Sequence, residues 1–472
     1  MINKKLKTLG IVTALSLPMS AMATNGYLLH GYGKNKGMGG AGMAHAQDAL
    51  SGANNPASSA WTETRFDLTA EFFFPTRGYK LSNPEGISFA DGFDAIGAIP
   101  HNEDGTTSSI SVKSEKDVFL IPAMGFNWQY SDKLTLAAAM YGAGLGTEFN
   151  RDDTQTIFAN NNTFSQLTGG ATANGTFFAG STGIDLVLIM TNFHAAYKVT
   201  DDFSVGAGIN LAMQSFKAKG LALFNKIAIS TQTDGGREID GIAEKKRSLA
   251  YGAGWNIGVQ KEIIPGLTMG AAYYSRIGLR HKEYAGLFAD NGDFSLPPRI
   301  NIGMSVKLND HHRVNFDIQK IEWSSISSTG NKFIQLVNTG FKASNAIDFD
   351  ENFPLQALGN KDSAGFGFED SLIYKFGYEF SLENMPSWTW RLGYSYQSQI
   401  IPSNATLFPM LAPATIQRHY TFGFTKDFNN GYEFNFNTMY TGKEWLKGTG
   451  ESKGIDIYLE ELTMEFALGI KW

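Results

Sequence analysis

The chain contains no cysteine, which excludes disulfide scaffolds and thiolate-ligated zinc or iron–sulfur centres. Charge is also scarce: Asp, Glu, Lys and Arg make up 18% of the 472 residues. The net charge is −6 with no basic cluster, so nucleic acid is not an expected partner. Long hydrophobic runs are missing too. Past residue 18, Ile184–Met190 is among the most apolar stretches; it is seven residues long and already contains Asp185. A membrane-spanning helix needs about 20 apolar residues, so a helical inner-membrane protein is excluded.

Chemistry-bearing motifs are equally sparse. His311-His312 falls in an expected tight turn beside Asp310. Neighbouring residues on a strand point to opposite faces, so neither a metal site nor any other cofactor is implied. Gly37-Met38-Gly39-Gly40-Ala41-Gly42 has the spacing of a dinucleotide loop, but no strand precedes it. No Ser/His/Asp arrangement stands out by spacing, and the chain is not expected to be an enzyme.

What is abundant is glycine, with 52 residues, and phenylalanine, with 35. The N-terminus carries a basic start at Lys4, Lys5 and Lys7, an apolar stretch from Leu9 to Pro18, and Ala21-Met22-Ala23. This is the pattern of a cleaved export signal over residues 1–23. Removing it takes three cations and shifts the net charge from −6 to −9.

From residue 65 to residue 472 the chain alternates apolar with small or polar side chains. Leu462, Met464, Phe466, Leu468, Ile470 and Trp472 interleave with Thr463, Glu465, Ala467, Gly469 and Lys471. Likewise Leu267, Met269, Ala271, Tyr273, Ile277 and Leu279 share one face. Period two marks strands. Fourteen such segments are predicted, near 65–75, 117–130, 133–149, 185–199, 202–218, 248–262, 266–281, 296–308, 311–325, 369–382, 387–399, 416–427, 430–442 and 460–472. Tight turns, as at Ser131-Asp132, Thr200-Asp201 and Met385-Pro386, alternate with long loops. An even strand count with short–long alternation fits an all-β fold, a 14-stranded antiparallel transmembrane β-barrel. Closure leaves no unpaired edge. Both ends then face the periplasm, and Tyr, Phe and Trp near strand ends supply interfacial girdles. The expected setting is the outer membrane of a Gram-negative bacterium, with the barrel acting as a monomer among outer-membrane lipid and lipopolysaccharide.

Residues 24–64 precede the first strand and are rich in glycine and other small residues. Helices and regular strands tolerate such a run poorly. Two alternatives are open: a compact plug inside the barrel, or an unstructured periplasmic tail.

Gly40-Ala41-Gly42-Met43-Ala44-His45-Ala46-Gln47-Asp48-Ala49, followed by Asn54-Asn55-Pro56-Ala57, resembles the N-terminal hatch of FadL/TodX-type transporters. Tyr141 to Phe149, Tyr251 to Gly258, Tyr274-Ser275-Arg276, Arg391 to Tyr394 and the closing strand resemble the same family. The closing strand also resembles the signal read by the outer-membrane assembly machinery. The resemblance implies a hatch over 24–64, with Asn55, Pro56 and Ala57 as its signature, inside a barrel formed by 65–472. It implies passive uptake of a hydrophobic small molecule such as a fatty acid, an alkane or a monoaromatic. Extracellular loops would capture the ligand, and a pocket beside the N-terminus would hold it. A gap at a kinked third strand would then release it sideways into the membrane.

Particular residues fit those expectations. Tyr141-Gly142-Ala143-Gly144-Leu145-Gly146 sets Gly142, Gly144 and Gly146 at alternate positions of one strand, which favours a bulge or bend. The alternative is that these glycines accommodate a crowded lumen. Pro122 on the neighbouring strand cannot donate to the ladder. For capture, the outer end of strand five offers Phe216, Leu221, Leu223 and Phe224, interleaved with Lys217 and Lys219. The fourth long loop offers Tyr284, Leu287 and Phe288. Apolar side chains in a loop facing water call for a reason, whether ligand capture or packing of loop on loop. The lysines would meet a carboxylate headgroup or lipopolysaccharide phosphates. Asn25, Tyr27, Leu28 and Leu29 would line the inner pocket. A substrate-selective or general aqueous diffusion porin is the rival function.

Overall fold

The computed structural model describes residues 26–82, 109–150, 176, 180–221, 246–332 and 358–472. The expected export signal, Asn25, Leu223 and Phe224 lie outside them. The first half of the sheet contains β1 (Arg65–Leu81), β2 (Ile110–Lys113), β3 (Phe119–Gln129), β4 (Leu134–Gly146), β5 (Gly183–Thr200), β6 (Phe203–Lys219), β7 (Ser248–Ile264) and β8 (Leu267–Tyr274). The second contains β9 (Arg299–Lys307), β10 (His312–Ile321), β11 (Ser371–Leu382), β12 (Met385–Gln397), β13 (Arg418–Asp427), β14 (Tyr432–Tyr440), β15 (Glu444–Leu446) and β16 (Ile455–Lys471).

Every pairing is antiparallel between neighbours, and β16 returns to β1 from Arg65↔Lys471 to Leu81↔Ile455. The barrel is therefore closed. Its short strands are pieces of longer ones. β2 and β3 both pair with β1, but Ser114–Val118 sets five residues against four of β1, a local insertion that breaks the strand. β14 and β15 pair with β16 across a similar one-residue insertion. Joining these pieces leaves fourteen transmembrane strands, the number predicted.

Strand polarity is that of a barrel in lipid. On β9, Ile300, Ile302 and Met304 are exposed, whereas Asn301 and Ser305 are buried. A soluble sandwich would reverse this. Several expected strand bounds needed correction; the closing strand, for one, begins at Ile455 rather than 460, and β10 ends at Ile321 rather than 325. β8 ends at Tyr274, so Ile277 and Leu279 do not continue its outer face. They fold back and are buried against β7, above Gly252 and Gly254, where a larger residue would collide. β1 runs on to Leu81 because β16 pairs with its full length. The turn between β11 and β12 lies at Glu383-Asn384, with Met385 and Pro386 already in the strand.

The segment from Gly26 to Glu63 forms only short helical turns, at Gly33–Met38, Ser51–Ala53 and Pro56–Trp61, and is almost wholly buried. It lies against lumen-facing positions of strands around the barrel. Three cross-strand glycine pairs form seats for it. Gly206 pairs with Gly258 beneath Pro56, Gly270 with Gly303 beneath Met43, and Gly377 with Gly393 beneath Met38. A Cβ on Gly393 would come within 2.0 Å of the Gly39 amide nitrogen, and one on Gly206 within 2.5 Å of Ala57 N. Here glycine serves close backbone approach rather than flexibility.

Charges fasten the same segment. Lys36 bridges Glu71 of β1 and, at 2.7 Å, Glu465 of β16. Lys34 meets Glu433 of β14 at 2.7 Å, and Arg65 joins Glu433 to Asp67. Asp317 of β10 accepts the amides of Gly42 and Met43 at 2.7 and 2.9 Å. Opposite these, the Asn55 amide donates to the Val259 carbonyl of β7 at 3.0 Å, and Ser59 meets His194 of β5 at 2.6 Å. Buried charges are stable only when paired in this way.

Candidate functional site

Of the expected capture residues that are described, Phe216, Leu221, Tyr284 and Phe288 are buried and Leu287 is half-buried. Tyr284 and Phe288 are buried in the mouth of the barrel, together with Phe216 at the outer end of β6. The Phe216 ring centroid lies 4.7 Å from both Tyr284 and Phe288, and the Ala218 amide donates to the Tyr284 hydroxyl at 3.0 Å. A closed barrel leaves a wide mouth, and apolar loop side chains escape water by folding into it.

Phe216 and Phe288 border a narrow cavity of about 40 Å³, lined also by Ile184, Leu221, Leu287, Leu358, Phe366, Phe408 and Leu411 among others. That is room for about three water molecules, so a larger ligand has to displace side chains. A second, smaller cavity shares Ile184, Phe216 and Phe366 with the first and adds Tyr27, Leu145, Leu186, Phe294, Phe368 and Ala412. Tyr27 is held there by stacking on Phe294 at 5.3 Å, edge contact with Trp323 at 5.0 Å, and a hydrogen bond to the Ser295 carbonyl at 3.2 Å.

Thus Tyr27, Phe216, Leu221, Leu287 and Phe288 are brought together, while Leu28 and Leu29 are buried in the same apolar core without lining either cavity. The contribution of the 398–417 connection was missed. Its run Leu407-Phe408-Pro409-Met410-Leu411-Ala412 is apolar in a loop, the signal that drew attention to Phe288, and it is buried here. Phe294, Phe366 and Phe368 were missed for the same reason. Lys219 is occupied by Glu148 on the other side of β5, and Lys217 is exposed.

Leu145 of the second cavity stands beside a break in the wall. The β3–β4 ladder runs from Gln129↔Thr135 to Ala123↔Tyr141 and stops. Continuing its register would set Pro122 opposite Gly142 and Ile121 opposite Ala143, yet Gly142 to Gly146 pair only with β5. Contact resumes farther out, where Glu115 donates its amide to the Glu148 carbonyl at 2.8 Å. Three causes coincide at the break. Pro122 has no N–H, the insertion at Ser114–Val118 interrupts the partner strand, and Gly144 has φ +145°. A side chain at Gly144 would be strained, and its Cβ would lie 2.1 Å from the Leu186 carbonyl oxygen. Phe119, Ile121, Ala143 and Leu145 give the rims of the break an apolar inner surface.

No group of side chains that could hold a metal ion occurs among the described residues. Gly450-Glu451-Ser452-Lys453-Gly454 has the spacing of a nucleophile elbow but lies between β15 and β16, with no strand–turn–helix around it. Ser452 donates to the Asn404 carbonyl at 3.0 Å and accepts the Thr406 amide at 3.0 Å.

The closed barrel, its lipid-facing apolar surface and its filled lumen define a β-barrel protein of the bacterial outer membrane. Residues 17–444 match the family model described as outer membrane protein transport protein (OMPP1/FadL/TodX), and the chain belongs to that family. Outer membrane protein P1 of Haemophilus influenzae is 24% identical over 315 residues, covering 60% of this chain and 62% of that protein. The chain thus spans a little under two thirds of that curated relative's length. Among solved structures, the Pseudomonas putida toluene transporter TodX superimposes with a TM-score of 0.60 at 16% identity, over 94% of this chain and 99% of that one. A Pseudomonas aeruginosa FadL homologue gives 0.55 at 17% identity, covering 94% and 98%. At such identities the likeness is one of fold.

Proposed function

We propose that the protein carries hydrophobic compounds passively across the outer membrane, with release sideways into the lipid. The observation that carries this is that the two apolar cavities adjoin, sharing Ile184, Phe216 and Phe366. They run from the loop residues Leu221, Leu287, Phe288 and Phe408 to Tyr27 and Leu145, beside the interrupted ladder between β3 and β4. An apolar solute is worth about 0.8 kcal/mol per CH₂ when moved out of water, so a chain of weak apolar sites guides it where an aqueous pore would not. In this scheme Gly26–Glu63 is the hatch. It obstructs the straight path through the lumen and turns the solute toward the break.

Native mass spectrometry with lipid extraction, on protein folded in its own membrane and purified in detergent, tests the proposal. A co-purifying long-chain acid or hydrocarbon is the expected result. A ligand-free protein that conducts ions steadily in a planar bilayer overturns it and favours the aqueous porin.

A further inference from the structure

Arg77 of β1 points into the lumen at the level of the break and is 1% exposed. Its guanidinium reaches across the interrupted second strand. One Nη donates to the Gly146 carbonyl on β4 and lies 3.5 Å from the Lys116 carbonyl. The charge also sits 5.3 Å from the centre of the Phe119 ring. Lys116 and Phe119 belong to one rim of the opening and Gly146 to the other, so a single cation spans it from inside.

The partners of that cation are incomplete. The two carbonyls are neutral, and Nε has no hydrogen-bond partner among the described residues. Glu461 on β16 faces Arg77 from the side away from the opening. The Phe119 ring lies against the guanidinium and stacks in turn on Phe73 at 6.0 Å, so its neighbours on that side are apolar. A buried guanidinium with a spare donor is suited to a planar, two-oxygen anion, which it binds through two parallel hydrogen bonds.

We propose that Arg77 is a carboxylate-binding bolt across the β3–β4 opening. The headgroup of an acyl ligand takes the guanidinium as a bidentate pair, which draws it off the Gly146 carbonyl and frees the opening for the chain. This rests on the lateral route proposed above and adds the ligand class. Long-chain carboxylic acids are favoured over neutral molecules of the same length.

The test uses the folded, full-length protein and two photoactivatable probes, an oleate analogue with a diazirine in its chain and the matching alcohol. Labelled positions are mapped by mass spectrometry. The acid is expected to label the rim residues Phe119, Ile121 and Leu145. Arg77→Met should lower that labelling roughly tenfold or more, the scale of a lost charge-assisted pair. Alcohol labelling should change by less than about threefold, since an alcohol forms no such pair. Arg77→Lys, which keeps the charge but loses the fork, should fall between. Equal losses for acid and alcohol, in variants whose folding is verified by heat-modifiable migration on gels, would reduce Arg77 to a structural tie and overturn the proposal. Undiminished acid labelling in Arg77→Met overturns it as well. The lateral route is tested separately by bridging Ile121→Cys to Ala143→Cys. Unchanged oleate uptake through the bridged barrel would sink the route, while the labelling ratio would still report on the carboxylate site.

Discussion

Ala123 and Tyr141 form the last rung between β3 and β4, and the two strands part immediately beyond them. Tyr141 is also where the wall meets the N-terminal segment, its ring standing edge-on to Tyr32 at 4.8 Å. The ladder thus ends where β4 meets the N-terminal segment, with the filled lumen behind it.

If solute leaves by this break, closing it stops uptake. The chain has no cysteine, so Ile121→Cys with Ala143→Cys provides a unique pair for a short thiol-specific bridge. Oleate uptake by cells producing the bridged protein should fall to background, and reduction should restore it. A bulky residue at Gly144 is a poorer test. It would collide with Leu186 and disturb the β4–β5 ladder rather than fill the opening.

The glycine seats predict a different defect. Gly393→Val should leave the barrel able to assemble, because the outer surface and strand pairing are unchanged. It should displace Met38 and Gly39, which lie against that position. Planar-bilayer recordings should then show a steady conductance above that of the parent protein. A parent-like conductance in a folded Gly393→Val barrel would count against the hatch.

Lys36 neutralises two glutamates from neighbouring strands. Removing one member of a buried ion cluster costs about 3–5 kcal/mol, because the remaining charges stay buried without a partner. Lys36→Met should therefore lower the urea midpoint of the barrel in liposomes. Adding Glu71→Gln and Glu465→Gln should recover most of the loss. If the triple variant is as unstable as the single one, the cause is packing rather than charge.

Ala412 borders the second cavity at its junction with Tyr27 and Leu145. Ala412→Trp should fill that junction while leaving the loop cavity intact. Ligand binding to purified protein should weaken by at least about tenfold, equivalent to 1.4 kcal/mol. Equal affinity in the variant would separate the second cavity from the path.

Much of the fold could be read along the chain. Strand polarity repeats every two residues whatever the partner, so fourteen strands, short turns alternating with long connections and a lipid-facing surface were all legible. Ends were less so. The Ile277 and Leu279 alternation continues on paper past Tyr274, but side-chain period carries no information about whether a neighbouring strand is present to pair. Of the candidate site, the proline and the alternate glycines at the break could be picked out, because each alters local backbone chemistry. The Phe216 cluster was visible only in part.

By itself the sequence determined the membrane class of this protein, since local alternation and the lack of long apolar runs leave a barrel as the structure that satisfies its backbone in lipid. The tertiary structure decided what the lumen does. Gly206 with Gly258, and Gly377 with Gly393, lie about 50 and 16 residues apart in the chain, and nothing local marks them as pairs. Ladder register brings them together beneath the N-terminal segment. The same holds for Arg77, Lys116 and Gly146. Their meeting across the opening depends on a one-residue insertion in the strand between them, and such a contact exists only once β1, β3 and β4 have paired in register.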